Sequence, residues 1–264
     1  MSREHPELTI IRSHGSEAAA ARGVVIVIDV IRAFTVAAYA FAGGARELWL
    51  VRTVEEAFAL RDQLLAASGA TAEGGPSAQP PLLAGEVGGR LIPGFDLNNS
   101  PSQMAAADVR GRLIIQRTGA GTQGAVGAEQ ATRLLVGALV NARATAAAAR
   151  RLAIEAGDGV ITLLPTAFRE QVGDALLTPM EDEVCADYLT ALLLAPDEAQ
   201  ATLARGVADL LASGRFADYT PDDPDQPPAD IPAALATDRF DFALVGERRE
   251  QWGVSYVQVR RVDG

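Results

Sequence analysis

Residues 24–28 form an unbroken run of β-branched side chains that ends at an acid, Asp29. Valine and isoleucine suit a pleated sheet, and a run without polar alternation is typical of a strand whose two faces are both covered. Because helices cover both faces of such a sheet, the run predicts an α/β fold whose central sheet is largely parallel or mixed. We expect the functional site to be built around residues 24–32, where this strand ends.

Other apolar runs extend this prediction along the chain. Strands are expected at residues 8–11, 48–51, 82–84, 113–115, 134–136, 160–164, 242–245 and 254–259. Helices are expected at residues 33–42, 54–67, 122–130, 142–156, 180–194 and 196–211. Ser100, Pro101 and Gln103 have the spacing of a capping box and predict one more helix start. The order of elements predicts a three-layer α/β/α arrangement, in a single domain over residues 1–264.

Two stretches without apolar periodicity interrupt this order, at about residues 68–81 and 214–232. The first is rich in Gly, Pro, Ala and Ser, which predicts a flexible surface loop. The second is rich in Asp and Pro and has two interpretations, a mobile flap near the site or merely an exposed loop. The exposed loop is the default for such a composition.

The balance of charges excludes several classes of partner. With 23 basic and 34 acidic residues the net charge is −11, which repels polyanions, so we expect neither nucleic acid nor anionic lipid as a partner. No apolar run reaches the roughly 20 residues of a membrane-spanning helix, and the first residues lack the apolar core of a secretory signal. We therefore expect a cytoplasmic protein without membrane contact. The sequence leaves a homo-oligomer open.

Scarce histidine and cysteine limit the chemistry of the site. Cys185 is the single cysteine, and the two histidines, His5 and His14, precede the first confident strand and helix. A cysteine metal cluster or a histidine-rich zinc site is therefore not expected. Carboxylates are abundant and suit a hard cation, so elimination favours Mg²⁺.

Polar residues follow several of the expected strands, at the edge where ligands bind in open α/β sheets. They are Asp29 with Arg32, Glu86, the turn at residues 118–122, and Asn141. Asp29 is the strongest candidate for a functional residue, because the cost of burying a carboxylate must be offset by a cation or by hydrogen bonds. A bound metal would supply this. Equally, Asp29 could cap the next helix or pair with Arg32.

The segment Gly119-Ala120-Gly121-Thr122-Gln123-Gly124 matches the G-x-G-x-x-G pattern of dinucleotide-binding proteins. That pattern requires an acid about 20 residues further on, at the end of the next strand, and no Asp or Glu occurs between residues 130 and 154. We therefore favour a simpler cradle for phosphate or carboxylate, made of backbone N–H groups. Tight-turn glycines without a ligand are the alternative.

Taken together, these segments resemble the 2-phosphosulfolactate phosphatase family, the magnesium-dependent phosphatases of the coenzyme M pathway. The similar strings are V-I-D-V-I-R-A at 27–33, G-E at 85–86, I-P-G-F-D-L-N-N-S-P at 92–101, T-G-A-G-T at 118–122, V-G-A-L-V-N-A at 136–142 and E-D-E-V-C-A at 181–186. They follow the family's order and cover roughly residues 24–193.

The resemblance implies hydrolysis of a phosphate monoester of a small anionic acid, with Mg²⁺ required. It implies a catalytic role for Asp29, Arg32 and Glu86. The implied metal ligands are Asp29, Glu86, Asp96, Glu181 and Asp182. The implied substrate-binding residues are Arg32, Asn99, Ser100, Thr118, Gly119, Gly121, Thr122 and Asn141. Asp29 could be the nucleophile that forms an acyl phosphate, or it could hold Mg²⁺ while water attacks.

Three positions depart from the family pattern, at Phe34, Val87 and Ala120, where the family has Thr, Arg and Asn. Each departure removes a polar group that could contact substrate, and Arg90 or Arg117 could replace the missing guanidinium. The departures keep open an alternative function, in which a catalytically silent or divergent member acts as a small-anion or nucleotide-binding protein.

Overall fold

A computed structural model gives the fold and describes residues 7–69, 79–166, 170–172, 175–177 and 180–263. Its strands are β1 Thr9–Arg12, β2 Gly23–Ile28, β3 Glu47–Leu50, β4 Leu82–Val87, β5 Arg90–Leu91, β6 Leu113–Arg117, β7 Ala131–Gly137, β8 Val160–Pro165, β9 Glu170–Val172, β10 Ala175–Leu177, β11 Phe242–Gln251 and β12 Val254–Asp263. Its helices are α1 Ala33–Ala42, α2 Val54–Gly69, α3 Pro101–Ala106, α4 Gly121–Gly127, α5 Ala142–Ala156, α6 Met180–Leu194, α7 Ala199–Ala212 and α8 Asp230–Ala234. Short 3-10 turns lie at Gly15–Ala20, Leu139–Asn141 and Pro196–Glu198.

Every strand and helix expected from the sequence is present, with bounds that shift by a few residues. The expected helix at 196–211 begins with a 3-10 turn and becomes α-helical only at Ala199. The Ser100 hydroxyl accepts the backbone N–H of Gln103 at 3.3 Å, as the capping pattern predicts. Most of the expected loop at 68–81 lies outside the described residues.

Ten strands form one mixed, mostly parallel sheet in the order β1-β8-β2-β7-β11-β12-β3-β6-β4-β5, with helices against it. This confirms the α/β class. Strand β2 lies between β8 and β7, parallel to both, with Ile28 opposite Pro165 and Gly137. Its six residues are all buried, as the uninterrupted apolar run predicts.

The hairpin of β11 and β12 divides the sheet into two parallel blocks. Three successive antiparallel pairings connect β7 to β11, β11 to β12, and β12 to β3. The block of β3, β6 and β4 therefore runs opposite to the block of β1, β8, β2 and β7. The carboxyl ends of β2 and β6 nevertheless lie close together. Asp29, which directly follows β2, is in contact with Gly121, which lies four residues after the end of β6. Two opposed blocks can share one cleft only if the sheet coils strongly between them.

Helix α1 contacts both blocks of the sheet. Nine of its ten residues are buried, and a helix that is apolar on all sides is typical of a protein interior. It contacts β7 in one block, while Gln116 of β6 in the other block donates its side-chain N–H to the carbonyl of Ala33 at 3.1 Å. Helix α1 contains no charged residue because nearly all of its side chains are buried between parts of the fold.

The stretch at 214–232 lies at the site, so its interpretation as merely an exposed loop is wrong. Asn98 donates its side-chain amide to the Asp225 carboxylate at 2.7 Å. Gln103 donates to the carbonyl of Pro224 at 2.9 Å, and Arg90 pairs with Asp223 at 2.8 Å. The sequence could not show this placement, because each contact joins residues more than 100 positions apart.

None of the helices in the described part of the chain combines the length and the apolar character that crossing a membrane requires.

Candidate functional site

A cleft of about 290 Å³ opens where the two blocks of the sheet meet. Among the residues that line it are five expected from the sequence, Asp29, Arg32, Glu86, Asn99 and Thr118. The convergence of strand ends that the sequence predicts is therefore found for β2, β4 and β6.

Asp29 is held by the start of α1. Its Oδ1 accepts the backbone N–H of Ala33, the first residue of that helix, at 2.9 Å, so the capping role weighed from the sequence is real. The alternative pairing with Arg32 is not found, since Arg32 pairs with Asp230. Capping does not exclude chemistry here, because Asp29 also lines the cleft.

Burial raises the pKa of Asp29 to about 6, since it disfavours the charged carboxylate. The negative charges of Glu86 and Glu181 contribute to this rise, while backbone hydrogen bonds from Ala33 and Gly121 oppose it. A carboxylate with a raised pKa is more basic than an ordinary one, and such groups are typical of catalytic sites.

Glu86 reaches the cleft from the end of β4. Its Oε1 accepts the N–H of Gly119 at 2.6 Å, and its Oε2 accepts the N–H of Gly89 at 2.7 Å. The neighbouring Gly85 has φ +150°, and a Cβ there would lie 1.9 Å from the carbonyl oxygen of Arg117. Only glycine permits this approach of β4 to β6, so Gly85 sets the position of the acid that follows it.

In the turn at 118–122, the backbone N–H groups of three residues donate hydrogen bonds to other groups of the protein and are not free to bind an anion. The N–H groups of Thr118 and Thr122 donate to each other's side-chain oxygens at 2.9 and 3.1 Å, and that of Gly119 donates to Glu86. These three N–H groups therefore already have acceptors within the protein, and the structure does not support the expected backbone phosphate cradle at them. The turn instead orients two of the acids in the cleft. Gly119 contacts Glu86 and Gly121 contacts Asp29, whereas Thr122 binds Thr118, and of these four residues Thr118 alone lines the cleft.

Gly121 cannot carry a side chain without moving Asp29. A Cβ at this position would lie 2.6 Å from Asp29 Oδ2 and 2.7 Å from the Cβ of Ala33. We expect Gly121→Ala to displace the carboxylate by a fraction of an ångström or more and to lower kcat/KM by about 10²-fold. Overpacking should also cost about 1–3 kcal/mol of unfolding free energy. Steady-state kinetics and urea unfolding measure the two effects.

Gly127→Ala is the matched control, at the other end of the same helix, where the added Cβ would meet only the Cβ of Ala18 at 3.2 Å. Its kcat/KM should remain close to that of the wild type. Equal activity of both variants would contradict the role given to Gly121.

Arg32 is a buried guanidinium at the cleft wall. Its side chain is 4% exposed and its Nη1 lies 3.1 Å from Asp230 Oδ2. It also donates to the carbonyls of Asp225 and Gly89, and its guanidinium carbon lies 5.9 Å from the centre of the Tyr219 ring. A cation fixed in this way can bind an anionic ligand without first being ordered.

A second guanidinium, that of Arg215, also lines the cleft and was not identified from the sequence. Its Nη2 lies 2.9 Å from Glu181 Oε1 and its Nε 3.2 Å from Glu181 Oε2. The charge of Glu181 raises the pKa of Asp29, so the two carboxylates are near each other. Both oxygens of Glu181 are bound by Arg215. Tyr219 and Gln226 of the 214–232 stretch complete this side of the cleft. The sequence signal for this wall is one arginine and two aromatic residues, Arg215, Phe216 and Tyr219, directly before a run rich in Asp and Pro.

Asn99 is buried at the cleft and its Oδ1 accepts the side-chain N–H of Gln116 at 3.4 Å. Its amide nitrogen is then the group available to donate to an anion. Ser100 caps α3 and donates its hydroxyl to Asp230 at 2.7 Å. Ser100 is therefore connected with the site through Asp230 and does not itself line the cleft.

Three of the expected site residues do not line the cleft and have structural partners. Asp96 is exposed, and its Oδ2 accepts the N–H of Leu83 early in β4 at 2.8 Å. Asp182 is buried in the first turn of α6, and its Oδ1 accepts the N–H of Val30 at 2.7 Å. Asn141 accepts the N–H of Ala138 at 3.1 Å. Their assignment as ligands of metal or substrate is not supported, because short polar side chains at turns often bind backbone groups.

The three departures from the family pattern have different consequences. Phe34 is fully buried in α1, Val87 is 52% exposed at the end of β4, and Ala120 lines the cleft. Only the position of Ala120 thus bears directly on a ligand. Arg90 and Arg117, which could have replaced the missing guanidinium, pair with Asp223 and with the carbonyl of Glu86, respectively.

The acidic side chains that line the cleft, Asp29 and Glu86 among them, decide which kind of metal ion could bind there. In the described residues, no group of three or more His, Cys, Asp or Glu side chains could hold a metal ion. Mg²⁺, however, is often bound by one or two carboxylates together with waters and substrate phosphate. Asp29 and Glu86 line the same cleft, and Glu86 raises the pKa of Asp29. A cation would relieve that repulsion, so this pair fits a Mg²⁺ site that the substrate completes.

The profile of a family described as 2-phosphosulpholactate phosphatase matches residues 10–215, well over half of the chain. The matched residues include the acids Asp29, Glu86, Asp96, Glu181 and Asp182 and both cleft arginines, and they exclude Tyr219, Gln226 and Asp230.

Three curated proteins named probable 2-phosphosulfolactate phosphatase are similar to this chain. The one from Bacillus subtilis is 40% identical over 168 residues, which are 64% of this chain and 63% of that protein. The one from Deinococcus radiodurans is 39% identical over 170 residues, 64% of this chain and 62% of that protein. The one from Thermus thermophilus is 39% identical over 133 residues, 50% of this chain and 49% of that protein. The chain thus spans less than two thirds of the length of each of these relatives.

Proposed function

Since this chain belongs to the 2-phosphosulpholactate phosphatase family, we propose that it is a Mg²⁺-dependent phosphatase for the phosphate monoester of a small anionic acid. The observation that carries the proposal is the cleft itself, where the raised pKa of Asp29 occurs beside Glu86 and two guanidinium groups. Acids and guanidinium groups in one cleft are the groups that phosphoryl transfer requires.

The two arginines support a substrate with more than one acidic group. Arg32 is buried and fixed, whereas Arg215 is 46% exposed and belongs to the wall formed with Glu181. We assign the phosphate group to Arg32 and a second acidic group of the substrate to Arg215. The names of the relatives suggest 2-phosphosulfolactate or a similar acid as that substrate.

Catalysis in such a cleft is mostly positioning and charge stabilisation. Arg32 binds equatorial oxygens of the phosphate, and Asn99 donates a further hydrogen bond from its amide. Asp29 then acts by one of two routes. In the first, its Oδ2 attacks phosphorus, the substrate oxygen leaves, and water later hydrolyses the acyl phosphate. In the second, Asp29 is a metal ligand and water attacks phosphorus directly.

Bound Mg²⁺ would be held by Asp29 and Glu86 and would neutralise charge that develops on the transferring phosphate. The two routes for Asp29 can be separated by acid quenching with a substrate labelled on phosphate. Label on the protein that hydroxylamine removes indicates the acyl phosphate, and Asp29→Asn is the control that should carry none.

A phosphate-release assay tests the proposal. We expect turnover of 2-phosphosulfolactate, or of a related small phosphorylated acid, that falls at least about 10²-fold in EDTA, because a metal ion contributes several kcal/mol to such reactions. Activity should return when Mg²⁺ is added in excess of the chelator.

Full activity in EDTA would refute the proposed dependence on Mg²⁺. No turnover of any small phosphorylated acid, with Mg²⁺ present, would contradict the phosphatase assignment and favour a catalytically silent member of the family.

A further inference from the structure

A carboxylate outside the family-matched residues is buried beside the cleft. Asp230, the first residue of α8, is 0% exposed. Its Oδ2 pairs with Arg32 Nη1 at 3.1 Å. Its Oδ1 accepts the Ser100 hydroxyl at 2.7 Å, and the backbone N–H and hydroxyl of Ser102 at 3.0 and 2.6 Å.

The two oxygens of this carboxylate therefore have different partners. Oδ1 is bound entirely by the start of α3, which fixes the side chain and leaves Oδ2 for the guanidinium. A buried charge is tolerated only when it is paired and hydrogen-bonded. Arg32 and Asp230 satisfy this condition for each other, so neither can turn away at little cost.

Arg32 has other acids within the same cleft that could compete for it. Asp29 and Glu86 line that cleft too, and an unrestrained guanidinium would pair with one of them. Such a pair would occupy the acid that the reaction needs and would withdraw the cation from the phosphate. Asp230 prevents this, because it holds Nη1 on the side of α3 and α8.

We infer that Asp230 is a positioning residue, which holds the Arg32 guanidinium where it binds the phosphate group of the substrate. The inference rests on the proposed phosphatase function. It also gives the part of the chain after residue 215 a role in the site, since Asp230 belongs to that part.

Inorganic phosphate provides a readout that does not depend on turnover. We expect Asp230→Asn to weaken phosphate binding, measured by calorimetry, at least about tenfold, and to lower kcat/KM about 10²-fold through misplacement of Arg32. Asparagine keeps an oxygen for Ser100 and Ser102, so the variant removes the charge and preserves the shape.

Two control variants separate positioning from a general loss of structure. Asp222→Asn makes the same charge change at an exposed position of the same stretch. Ser102→Ala removes a hydroxyl contact to Asp230 and leaves the pair with Arg32. Asp222→Asn should bind phosphate nearly as the wild type does, and Ser102→Ala, which keeps the charge of Asp230, should lose less phosphate affinity than Asp230→Asn.

Rescue by guanidinium ion is the decisive experiment. In Arg32→Ala, millimolar guanidinium should restore part of the phosphate binding and raise Tm, because Asp230 remains to hold the ion. In the double variant Arg32→Ala with Asp230→Asn, neither effect should occur. This comparison also serves if Asp230→Asn alone fails to fold.

Equal rescue in the two backgrounds, or wild-type phosphate binding in Asp230→Asn, would overturn the inference. Failure of the proposed function looks different. A wild-type protein that binds phosphate in a manner dependent on Asp230, yet hydrolyses no phosphate monoester, would refute the phosphatase proposal and leave the positioning role intact. A wild type without binding and without turnover would overturn both.

Discussion

Replacing Asp29 with asparagine is expected to lower kcat/KM by on the order of 10³-fold, within the range for loss of a group that transfers protons or attacks substrate. Asparagine can still accept the Ala33 N–H that binds Oδ1 at 2.9 Å, so the start of α1 should persist. The loss then reports on the charge of the carboxylate. Phosphate release with Mg²⁺ present measures it.

Asp96→Asn is the matched comparison for this prediction, because Asp96 lies in the same family-like pattern but outside the cleft. Its oxygen can still accept the N–H of Leu83, and we expect nearly normal activity. If Asp96→Asn were as inactive as Asp29→Asn, the placement of the site would be wrong.

Asp29→Asn should also stabilise the metal-free protein at neutral pH. The folded-state pKa of about 6 exceeds the ordinary value of 3.8, so the folded chain binds this proton more tightly than the unfolded chain does. The stability of the wild type therefore falls as pH rises from about 4 to about 6, by up to about 3 kcal/mol. The variant lacks this loss. Urea unfolding in EDTA at pH 4 and pH 7 tests it, and a pH-independent difference would contradict the burial argument.

Removal of Arg32 should have the largest effect on stability. Arg32→Ala leaves the Asp230 carboxylate buried without a cation, since the two side chains are 4% and 0% exposed. Breaking such a pair costs about 3–5 kcal/mol, and kcat/KM should fall as well, because the cation that we assign to the phosphate group is lost. Urea unfolding at neutral pH gives the first quantity and steady-state kinetics the second.

The double variant Arg32→Ala with Asp230→Asn is the control for stability. It removes both charges and should recover most of the lost unfolding free energy while remaining poorly active. A double variant that is less stable than Arg32→Ala would show that Asp230 stabilises the fold independently of Arg32.

Some site residues could be recognised from sequence because the information was local. Asp29 directly follows an apolar run, and Glu86 and Thr118 also follow strands, so strand ends alone identified three lining residues. For Asp96, Asp182 and Asn141, which the sequence also proposes as site residues, the structure shows backbone N–H groups as partners and no place in the lining of the cleft. An acid at a turn or a helix start can bind a ligand or a backbone N–H, and the sequence pattern is the same in both cases.

The sequence did not identify Arg215, Tyr219 or Asp230 as site residues, although the structure places them at the cleft or directly beside it. Asp230 is separated from Arg32 by 198 positions and belongs to a polar stretch that resembles an ordinary exposed loop. Its burial arises only because α3 and Arg32 together supply four donors to one carboxylate. No local pattern encodes such a set of partners.

The sequence by itself determined the fold class and the longer elements. Periodicity, β-branched runs and capping residues act within a few positions, so the α/β class and these strands and helices followed from them. The short elements β5, β9, β10 and α8 did not. The tertiary structure alone decided how those elements share one site. The β11–β12 hairpin enters between two parallel blocks that run in opposite directions, and the coiling of the sheet brings Asp29 and Gly121 into contact. Strand pairing depends on packing between distant segments, which no short stretch of sequence specifies.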